Sequence, residues 1–382
     1  MTKAGVDVLV VGAGPAGSAT TWHLAQQGYR VVAVDRATFP REKACSEYMS
    51  PEAVRLLDRL GVVPSLEAAG AAPLYGTTVI GPAGSRLTGL FARAGVTLTR
   101  NAGFSIARRI LDQQLVDAAR SAGGEVLDGV GLEALLYENG AVGGAVLRDA
   151  AGRRRTIRAR LTVGADGLRS VVARRIGRRT HGRPSRMAFV AHVSGVSGMG
   201  DVAEMHVGRS GYVGLNRLDK GVTNVALVVP RSLAVQAKGR PTAFFQEQLD
   251  LLPGVRGRVP RDGIVREVLV TGPFAAWSGR VVTDGALLVG DAADFFDPFT
   301  GEGIYSALRG AEMAADAAAE ALHRPGQIAA YRLGGYVGAR KRAFAGKWAL
   351  ERLIGYAMLL PPLFDRAVDR LERRGLAHTL IG

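Results

Sequence analysis

The chain has 382 residues, 47% of them hydrophobic and 22% charged, and a formal net charge of +15. This length can bury two sizeable cores, and the apolar content excludes a disordered chain. The basic balance alone would suit nucleic acid, but no nucleic-acid-binding module and few aromatic residues accompany it, so no nucleic-acid partner is expected.

A glycine-rich turn follows the first apolar run. Val6–Val11 predicts a buried parallel strand, and a helix is expected from Pro15 to about Gln27. Between them the glycines of Gly12-x-Gly14-x-x-Gly17 permit a tight turn, close approach of a pyrophosphate and close helix–strand packing. The unpaired N–H groups at a helix start bind diphosphate. The cofactor contacts predicted here are Gly12, Gly14, Pro15, Ala16 and Gly17.

An acidic residue ends the second predicted strand. Tyr29–Val34 leads to Asp35, which lies 18 residues after Gly17, close to the roughly 20 expected for an acid that holds an adenosine ribose. Asp35 and the adjoining Arg36 are therefore predicted cofactor contacts. This fingerprint alone does not distinguish NAD from FAD.

Further elements extend this strand–helix–strand pattern. A helix over about Leu111–Ser121 and a strand at Glu125–Leu127 complete it. Alternating apolar residues around Leu135–Leu147 and Thr156–Val163 predict hairpin strands. They lead into a second glycine–acid signature, Gly164-Ala165-Asp166-Gly167-x-x-Ser170.

The stretch from about Arg183 to Thr271 changes character. It predicts a mostly antiparallel sheet, which would roof a substrate cavity. His192 and His206 lie in this sheet, and each can face the cavity or be a hydrogen-bonded core residue. The predicted strands are Met187–Val193, Ala203–Val207, Gly211–Leu215 and Val222–Val229, and a helix follows at about Thr242–Leu252.

A third signature comes later in the chain. Ala286–Val289 predicts a strand, and Asp291 of Gly290-Asp291-Ala292-Ala293 comes at its carboxyl end, where open α/β sheets bind ligands. The run Thr300-Gly301-Glu302-Gly303 then opens a long predicted helix, Ile304–Leu322. The amino end of such a helix stabilises negative charge on a ligand.

Together the three signatures resemble the FAD-dependent superfamily typified by para-hydroxybenzoate hydroxylase, and most closely its geranylgeranyl reductase family, over most of residues 6–322. The resemblance implies a mixed α/β fold. Its parts are a discontinuous Rossmann-like FAD-binding domain (1–75, 100–180 and 275–322), an antiparallel β-sheet substrate domain (76–99 and 181–274) and a C-terminal helical segment (323–382).

The resemblance also implies roles for particular residues. The Asp-Gly segment lies near the FAD pyrophosphate, the Gly-Asp segment holds the ribitol, and the Thr-Gly-Glu-Gly run faces the flavin ring. By position, the implied contacts are Arg41, Lys43, Arg108, Asp166, Gly167, Gly290, Asp291, Gly301, Glu302 and Gly303. Two alternatives stay open: Arg108 can instead form a helix-start ion pair with Asp112, and Cys45 can lie beside the flavin or be inertly packed.

One segment departs from the family. Where the reductases have Tyr-x-Trp-x-Phe-Pro, this chain has Tyr212-Val213-Gly214-Leu215-Asn216-Arg217, and the Trp-x-Trp-x-Ile-Pro segment of flavin halogenases is also absent. The aromatic residues that shape the prenyl pocket in the family are missing here, which disfavours isoprenoid reduction. Gly214 is expected to open space for something bulkier, such as a ring. Cys45 and Tyr212 remain the candidate catalytic residues.

The sequence therefore predicts noncovalent FAD, with NAD(P)H as a transient electron donor because no second dinucleotide fold is visible. The preferred activity is hydroxylation, as a monooxygenase, of a hydrophobic aromatic or lipid-like small molecule. One alternative is an ene reductase in the manner of the geranylgeranyl reductases. The other, from a different class, is a non-catalytic FAD-binding redox module.

The cysteine count, the apolar runs and the histidine spacing bear on the compartment and on the remaining partners. Cys45 is the single cysteine, so no intramolecular disulfide forms, and no signal peptide or run of about 18 apolar residues is visible. A cytoplasmic protein is expected. The apolar stretch Leu350–Phe364 leaves peripheral contact with the inner face of the membrane open, beside ordinary core packing. The six histidines have no metal-ligand spacing, so no metal is expected.

Overall fold

The computed structural model describes residues 5–93, 100–177, 179–219 and 221–378. Two large sheets organise these residues: a mostly parallel sheet that carries the glycine signatures, and a mostly antiparallel one. Residues from both regions line a common cavity. The fold class predicted from the sequence is therefore confirmed.

Strands and helices alternate in the first part of the chain. In order they are β1 (Val6–Val11), α1 (Pro15–Gln26), β2 (Val31–Val34), β3 (Tyr48–Met49), α2 (Pro51–Arg59), α3 (Val63–Ala68), β4 (Ala72–Leu74), β5 (Gly76–Ile80), β6 (Arg86–Leu90), β7 (Gly103–Ser105), α4 (Arg108–Ser121) and β8 (Glu125–Leu127).

Strands dominate the middle, and helices the end. The middle elements are β9 (Val130–Glu138), β10 (Ala141–Asp149), β11 (Arg154–Gly164), α5 (Val171–Ile176), β12 (Arg179–His181), β13 (Arg186–Ser194), β14 (Ala203–Val207), β15 (Tyr212–Asp219), β16 (Val222–Pro230), α6 (Arg231–Ala234), α7 (Pro241–Asp250) and β17 (Ile264–Thr271). The last are β18 (Ala276–Ser278), β19 (Val282–Thr283), β20 (Ala286–Leu288), β21 (Asp294–Phe295), α8 (Gly303–Leu322), α9 (Gly334–Ala357) and α10 (Pro361–Arg373).

The first sheet has the order β19-β20-β11-β1-β2-β8, and β20, β11, β1, β2 and β8 run parallel. Successive side chains of β1 enter two different cores. Val8 and Val10 pack with helices α1, α4 and α8, whereas Leu9 and Val11 pack with β9, β10 and α5. Burial on both faces explains why this strand is an unbroken apolar run.

The strands predicted as a hairpin around residues 135–163 pair in a different way from the prediction. β9 and β10 form the hairpin by themselves, through Asn139 and Gly140, which both have positive φ (50° and 84°) as in a type I′ turn. β11 pairs with β10 and then continues into the central sheet beside β1. The second signature consequently leaves the sheet next to the glycine turn, where the Ala165 N–H donates to the Val11 carbonyl (2.7 Å).

The second sheet has the order β17-β13-β16-β15-β14-β5-β6, antiparallel except between β14 and β5. Helix α7 covers one face. On the other face, Val190, Ala226, Gly214 and Met205 are successive neighbours across four strands. The two smallest side chains therefore lie at the centre of this row.

The terminal helices close the fold against both sheets. The Tyr336 hydroxyl of α9 donates to the Leu288 carbonyl of β20 (2.7 Å), and Phe364 and Val368 of α10 pack near Val79 and Leu87. Of the described helices, none is long and apolar enough to cross a membrane. The domain boundaries inferred from the sequence stay a prediction.

Candidate cofactor and substrate site

The glycine turn before α1 is too tight for side chains. Gly12 has a φ of +100°, and a Cβ there would lie 2.4 Å from the Ala165 carbonyl oxygen; a Cβ on Gly17 would lie 1.7 Å from the Gly12 carbonyl oxygen. Gly14 caps α1 without a side-chain bond, so the N–H groups of the first turn lack an intrahelical partner. This arrangement suits a diphosphate.

Asp35 follows β2 as expected, and the backbone fixes its carboxylate. One oxygen accepts the N–H of Ala13 (2.9 Å) and the other that of Ala37 (2.9 Å). A carboxylate has further lone pairs, so Asp35 can still accept a ribose hydroxyl. Arg36 is exposed and lies against Gly131 of β9, outside the cavity.

Two arginines share the buried carboxylate of Asp112. Arg108 donates to its two oxygens from Nε (2.7 Å) and Nη2 (3.0 Å), and Arg41 lies 3.2 Å away. Burial opposes the charge of Arg108, but Asp112 and Cys45 outweigh burial and raise its pKa. Because Arg108 lines the cavity while it is paired, the two roles considered for it are compatible.

Lys43 and Asp291 are ionisable side chains that line the same cavity. Burial, with Arg108 adding to it, lowers the pKa of Lys43; burial raises the pKa of Asp291, although Lys43 and Arg108 act against that shift. Neighbouring protein charges thus balance neither the positive charge of Lys43 nor the negative charge of Asp291 fully. A diphosphate would favour charged Lys43, and ribityl hydroxyls would donate to Asp291, so these residues fit FAD.

Asp166 and Gly167 of the second signature have different roles. Asp166 caps helix α5: its oxygens accept the Ser170 hydroxyl (2.5 Å) and the N–H groups of Val171 (2.6 Å) and Val172 (3.2 Å). Gly167, with a φ of +74°, lines the cavity, whereas Asp166 does not. Asp166 therefore positions the turn, and Gly167 is the nearer candidate for cofactor contact.

The start of α8 presents backbone to the cavity. Gly301 and Gly303 line it, and a Cβ on Gly301 would lie 2.5 Å from the Tyr48 ring. Glu302 lies instead beside Ser50 and Tyr48; burial raises its pKa to about 7, partly offset by a hydrogen bond from Ser50. The expected helix amino end is in place, but the Glu302 side chain is not part of the cavity wall.

A buried network fixes the loop before α8. Asp297 accepts the Tyr212 hydroxyl (2.6 Å), the Arg186 guanidinium (2.6 Å) and the Phe299 N–H (3.1 Å). Arg186 also donates to the Gly355 carbonyl of α9 (3.0 Å). Since the Tyr212 hydroxyl is committed to Asp297, we assign it a positioning role; its ring still lines the cavity.

Cys45 lies on the chain between β2 and β3 and lines the cavity. Its sulfur accepts the Glu47 N–H (3.3 Å), and it is one of the groups that raise the pKa of Arg108. The second sheet holds this segment: the Asn224 amide donates to the carbonyls of Cys45 (3.2 Å) and Ser46 (2.7 Å). The thiol therefore has a fixed position, with the Glu47 N–H aimed at it.

Glu47 is the anchor of the same segment. It is fully buried and has a positive φ of 57°. One carboxylate oxygen accepts the Arg108 N–H (2.8 Å) and lies 3.5 Å from Arg266; the other lies 2.6 Å from His192 Nε2. His192 is thus a hydrogen-bonded core residue, and His206 likewise contacts Glu204 (2.6 Å).

The cavity has a polar half and an apolar half. The predicted residues that line it are Gly14, Pro15, Ala16, Lys43, Cys45, Arg108, Gly167, Tyr212, Asp291, Gly301 and Gly303. Those that do not are Gly12, Gly17, Asp35, Arg36, Arg41, Asp166, Gly290 and Glu302. The apolar half is formed chiefly by Ala188, Val190, Met205, Gly214, Ala226, Val228, Phe274 and Phe295.

Comparisons with known proteins agree with this geometry. The model of the FAD binding domain family matches residues 5–344. A curated relative from Methanothermobacter thermautotrophicus, named digeranylgeranylglycerophospholipid reductase 2, is 30% identical and aligns with 96% of this chain and 91% of its own. The digeranylgeranylglycerophospholipid reductase of Methanosarcina mazei is 28% identical over 98% of this chain and 88% of its own.

Solved structures share the fold. The myxobacterial chondrochloren halogenase, an FAD-dependent halogenase, superimposes with a TM-score of 0.83 at 23% identity, over 92% of this chain and 83% of its own. A geranylgeranyl bacteriochlorophyll reductase-like protein from Thermoplasma acidophilum gives a TM-score of 0.79 at 21% identity, over 99% and 93%.

Fold, site and comparisons together define an FAD-dependent oxidoreductase. The chain belongs to the FAD binding domain family and, within it, to the geranylgeranyl reductase family. Its fold is of the para-hydroxybenzoate hydroxylase type, as the resemblance implied.

Several site residues were not singled out from the sequence. They are Glu47, Asn224, Arg186, Asp297 and Arg179, the last of which donates to the carbonyls of Asp291 (2.9 Å) and Ala292 (2.6 Å). All act across long sequence separations, so no local pattern marks them. Among the described residues, no group of three or more His, Cys, Asp and Glu side chains could hold a metal ion.

Proposed function

We propose that the protein reduces a carbon–carbon double bond in a hydrophobic small molecule, with Cys45 as the proton donor. The observation that carries this proposal is the Cys45 sulfur in the cavity wall, which accepts a hydrogen bond from the Glu47 N–H (3.3 Å) and interacts electrostatically with the Arg108 guanidinium. A thiol held at a fixed position in the cavity wall can give its proton to a bound alkene. The reductase names of the curated relatives support the same reaction.

The sequence alone favoured hydroxylation over reduction. The relatives and the surroundings of Cys45 favour reduction, so hydroxylation becomes the second candidate. It is favoured by the row of Gly214 and Ala226, which leaves room for a ring in the apolar half. An electron-rich ring is what a flavin hydroxylase attacks.

Reduction adds a hydride to one alkene carbon and a proton to the other. Bound FAD, reduced by NAD(P)H as the proposed transient donor, supplies the hydride chemistry. The residues of this chain do the rest. The start of α1, Lys43 and Asp291 hold the cofactor, and the apolar face of the second sheet orients the substrate and excludes water. Cys45 holds the proton at Sγ, gives it to the substrate and takes another from solvent.

The first experiment identifies the reaction. The holoenzyme is supplied with NAD(P)H and a panel of polyprenyl and ring-bearing hydrophobic compounds under labelled oxygen gas, and products are analysed by mass spectrometry. We expect gain of two hydrogens without labelled oxygen, and turnover that persists anaerobically. Incorporation of one labelled oxygen atom would instead establish hydroxylation. NAD(P)H oxidation that no compound stimulates would favour the redox module.

The second experiment tests Cys45. Cys45→Ala should lower turnover by about 10²- to 10⁴-fold, the usual contribution of a general acid, while FAD stays bound and NAD(P)H still reduces the flavin. Cys45→Ser should retain part of the activity. Ser46→Ala, the matched neighbour in the same wall, should turn over like wild type. Full activity of Cys45→Ala would remove Cys45 from the mechanism.

A further inference from the structure

A cluster of exposed apolar side chains lies where α9 ends and α10 begins. Leu353, Tyr356, Leu359, Leu360 and Leu363 are 68%, 51%, 55%, 56% and 52% exposed. We call these five residues the α9–α10 corner. Contiguous exposed apolar surface of this kind is uncommon on a soluble protein and marks an interaction site.

The surroundings of the corner are basic. Between residues 341 and 374, seven exposed residues are basic and only Asp369 and Glu372 are exposed acids. The other acids of the two helices are buried and turned inward: Glu351 pairs with Lys347, and Asp365 accepts the hydroxyl of Ser85 (2.6 Å). An apolar tip flanked by cations matches an anionic, partly apolar surface. The exposed basic residues are Lys341, Arg342, Arg352, Arg366, Arg370, Arg373 and Arg374.

On their inner side, the ends of α9 and α10 pack against residues that line the cavity. Met358 and Phe364 pack in one apolar cluster with Tyr212, Phe274 and Phe295, all three of which line the apolar half of the cavity. The Arg186 bond to the Gly355 carbonyl ties the same helix to the loop before α8. The ends of α9 and α10 therefore carry the exposed corner on one side and pack against the apolar lining of the cavity on the other.

We propose that the α9–α10 corner docks on an anionic lipid bilayer, with the five apolar side chains in the headgroup region and the flanking arginines on lipid phosphates. Tyr356 suits this depth because its hydroxyl is held by the Arg183 carbonyl (3.1 Å) while its ring is exposed. Docking brings the apolar half of the cavity next to the membrane. A hydrophobic substrate would then have a short path from lipid to cavity. The docking itself does not depend on which reaction the site performs.

The test is co-sedimentation of the FAD-bound protein with vesicles of phosphatidylcholine, with and without phosphatidylglycerol. Wild type should bind the anionic vesicles and bind the neutral ones more weakly. Leu359→Glu/Leu363→Glu should lower the partition coefficient at least about tenfold, since two apolar anchors are lost and charge is added. Arg352→Gln/Arg366→Gln should reduce binding to anionic vesicles while leaving neutral ones little changed.

The matched control is Leu251→Glu. Leu251 is a similarly exposed leucine (61%) at the end of α7, which covers the other face of the second sheet, and its variant should bind like wild type. Unchanged FAD content and melting temperature show that each variant is folded. Wild type that ignores anionic vesicles, or corner variants that still bind them, would overturn the proposal. So would a wild-type dimer in sedimentation velocity that the corner variant abolishes, because a second copy would then be the occupant.

Discussion

Glu302 offers the sharpest test of the electrostatics around the site. Burial raises the pKa of its carboxyl from 4.5 to about 7, so the folded protein binds this proton more tightly than the unfolded chain does. Stability is therefore lost as the pH rises through the interval from 4.5 to about 7, and the full cost is present above it. At about 1.4 kcal/mol per pKa unit, that cost is roughly 3.5 kcal/mol.

Glu302→Gln removes the ionisation while keeping an acceptor for Ser50. We expect the variant to gain stability relative to wild type as the pH rises, because only wild type has to bury a carboxylate. With an unfolding entropy of about 2 cal/mol/K per residue, the chain changes its Tm by about 1 °C for each ~0.8 kcal/mol, so the difference should reach about 4 °C. Thermal unfolding is followed with excess FAD between about pH 5 and about pH 8.

Glu320→Gln, at an exposed glutamate of the same helix, controls for the amide substitution itself. The reasoning would be refuted by a Tm difference between Glu302→Gln and wild type that stays constant or shrinks over that pH range. It would also be refuted if the control showed the same trend.

Three further outcomes are expected. Asp291→Ala should weaken FAD binding measurably, and at FAD concentrations about 100 times the Kd the loss of up to ~2.7 kcal/mol of ligand stabilisation should appear in a thermal shift assay; colourless wild type that ignores added FAD would contradict the cofactor assignment. Gly17→Ala, whose Cβ would lie 1.7 Å from a carbonyl oxygen, should purify with little flavin, and normal yellow protein would show that the turn can relax. Tyr212→Phe removes a buried donor to Asp297 and should lower the free energy of unfolding by about 1–3 kcal/mol, measured by denaturant titration. The Kd for FAD, measured by fluorescence, should stay unchanged. An undiminished unfolding midpoint would mean that Asp297 finds another donor.

Local patterns predicted much of the fold. The apolar run of β1, the helix start at Pro15 and the acid at Asp35 each follow from neighbours within a short stretch, because strand burial, helix capping and glycine turns are local requirements. The second sheet was also anticipated from alternation and turn residues. The side-by-side position of Ala226 and Gly214 on neighbouring strands, however, could be known only from the register of the sheet.

The connections between distant segments were not predictable in this way. Tyr212 and Asp297 are 85 residues apart, and Glu47 and His192 are 145 apart, so no periodicity relates them. Asp166 shows a different limit, since a Gly-Ala-Asp-Gly run is compatible both with a cofactor contact and with capping of the next helix. In the structure its carboxylate accepts the N–H groups of Val171 and Val172 at the start of α5.

The way the Cys45 segment is held has a consequence for engineering. The segment belongs in sequence to the nucleotide-binding half, yet Asn224, His192 and Arg266 of the antiparallel sheet hold it in place. A chimera that exchanged only the sheet, in order to change the accepted molecule, would remove His192 and Arg266 from Glu47 and Asn224 from the Cys45 carbonyl, and so release the thiol from its setting. Residues 41–47 and the sheet therefore form one transplantable unit, and a successful graft has to carry both across together.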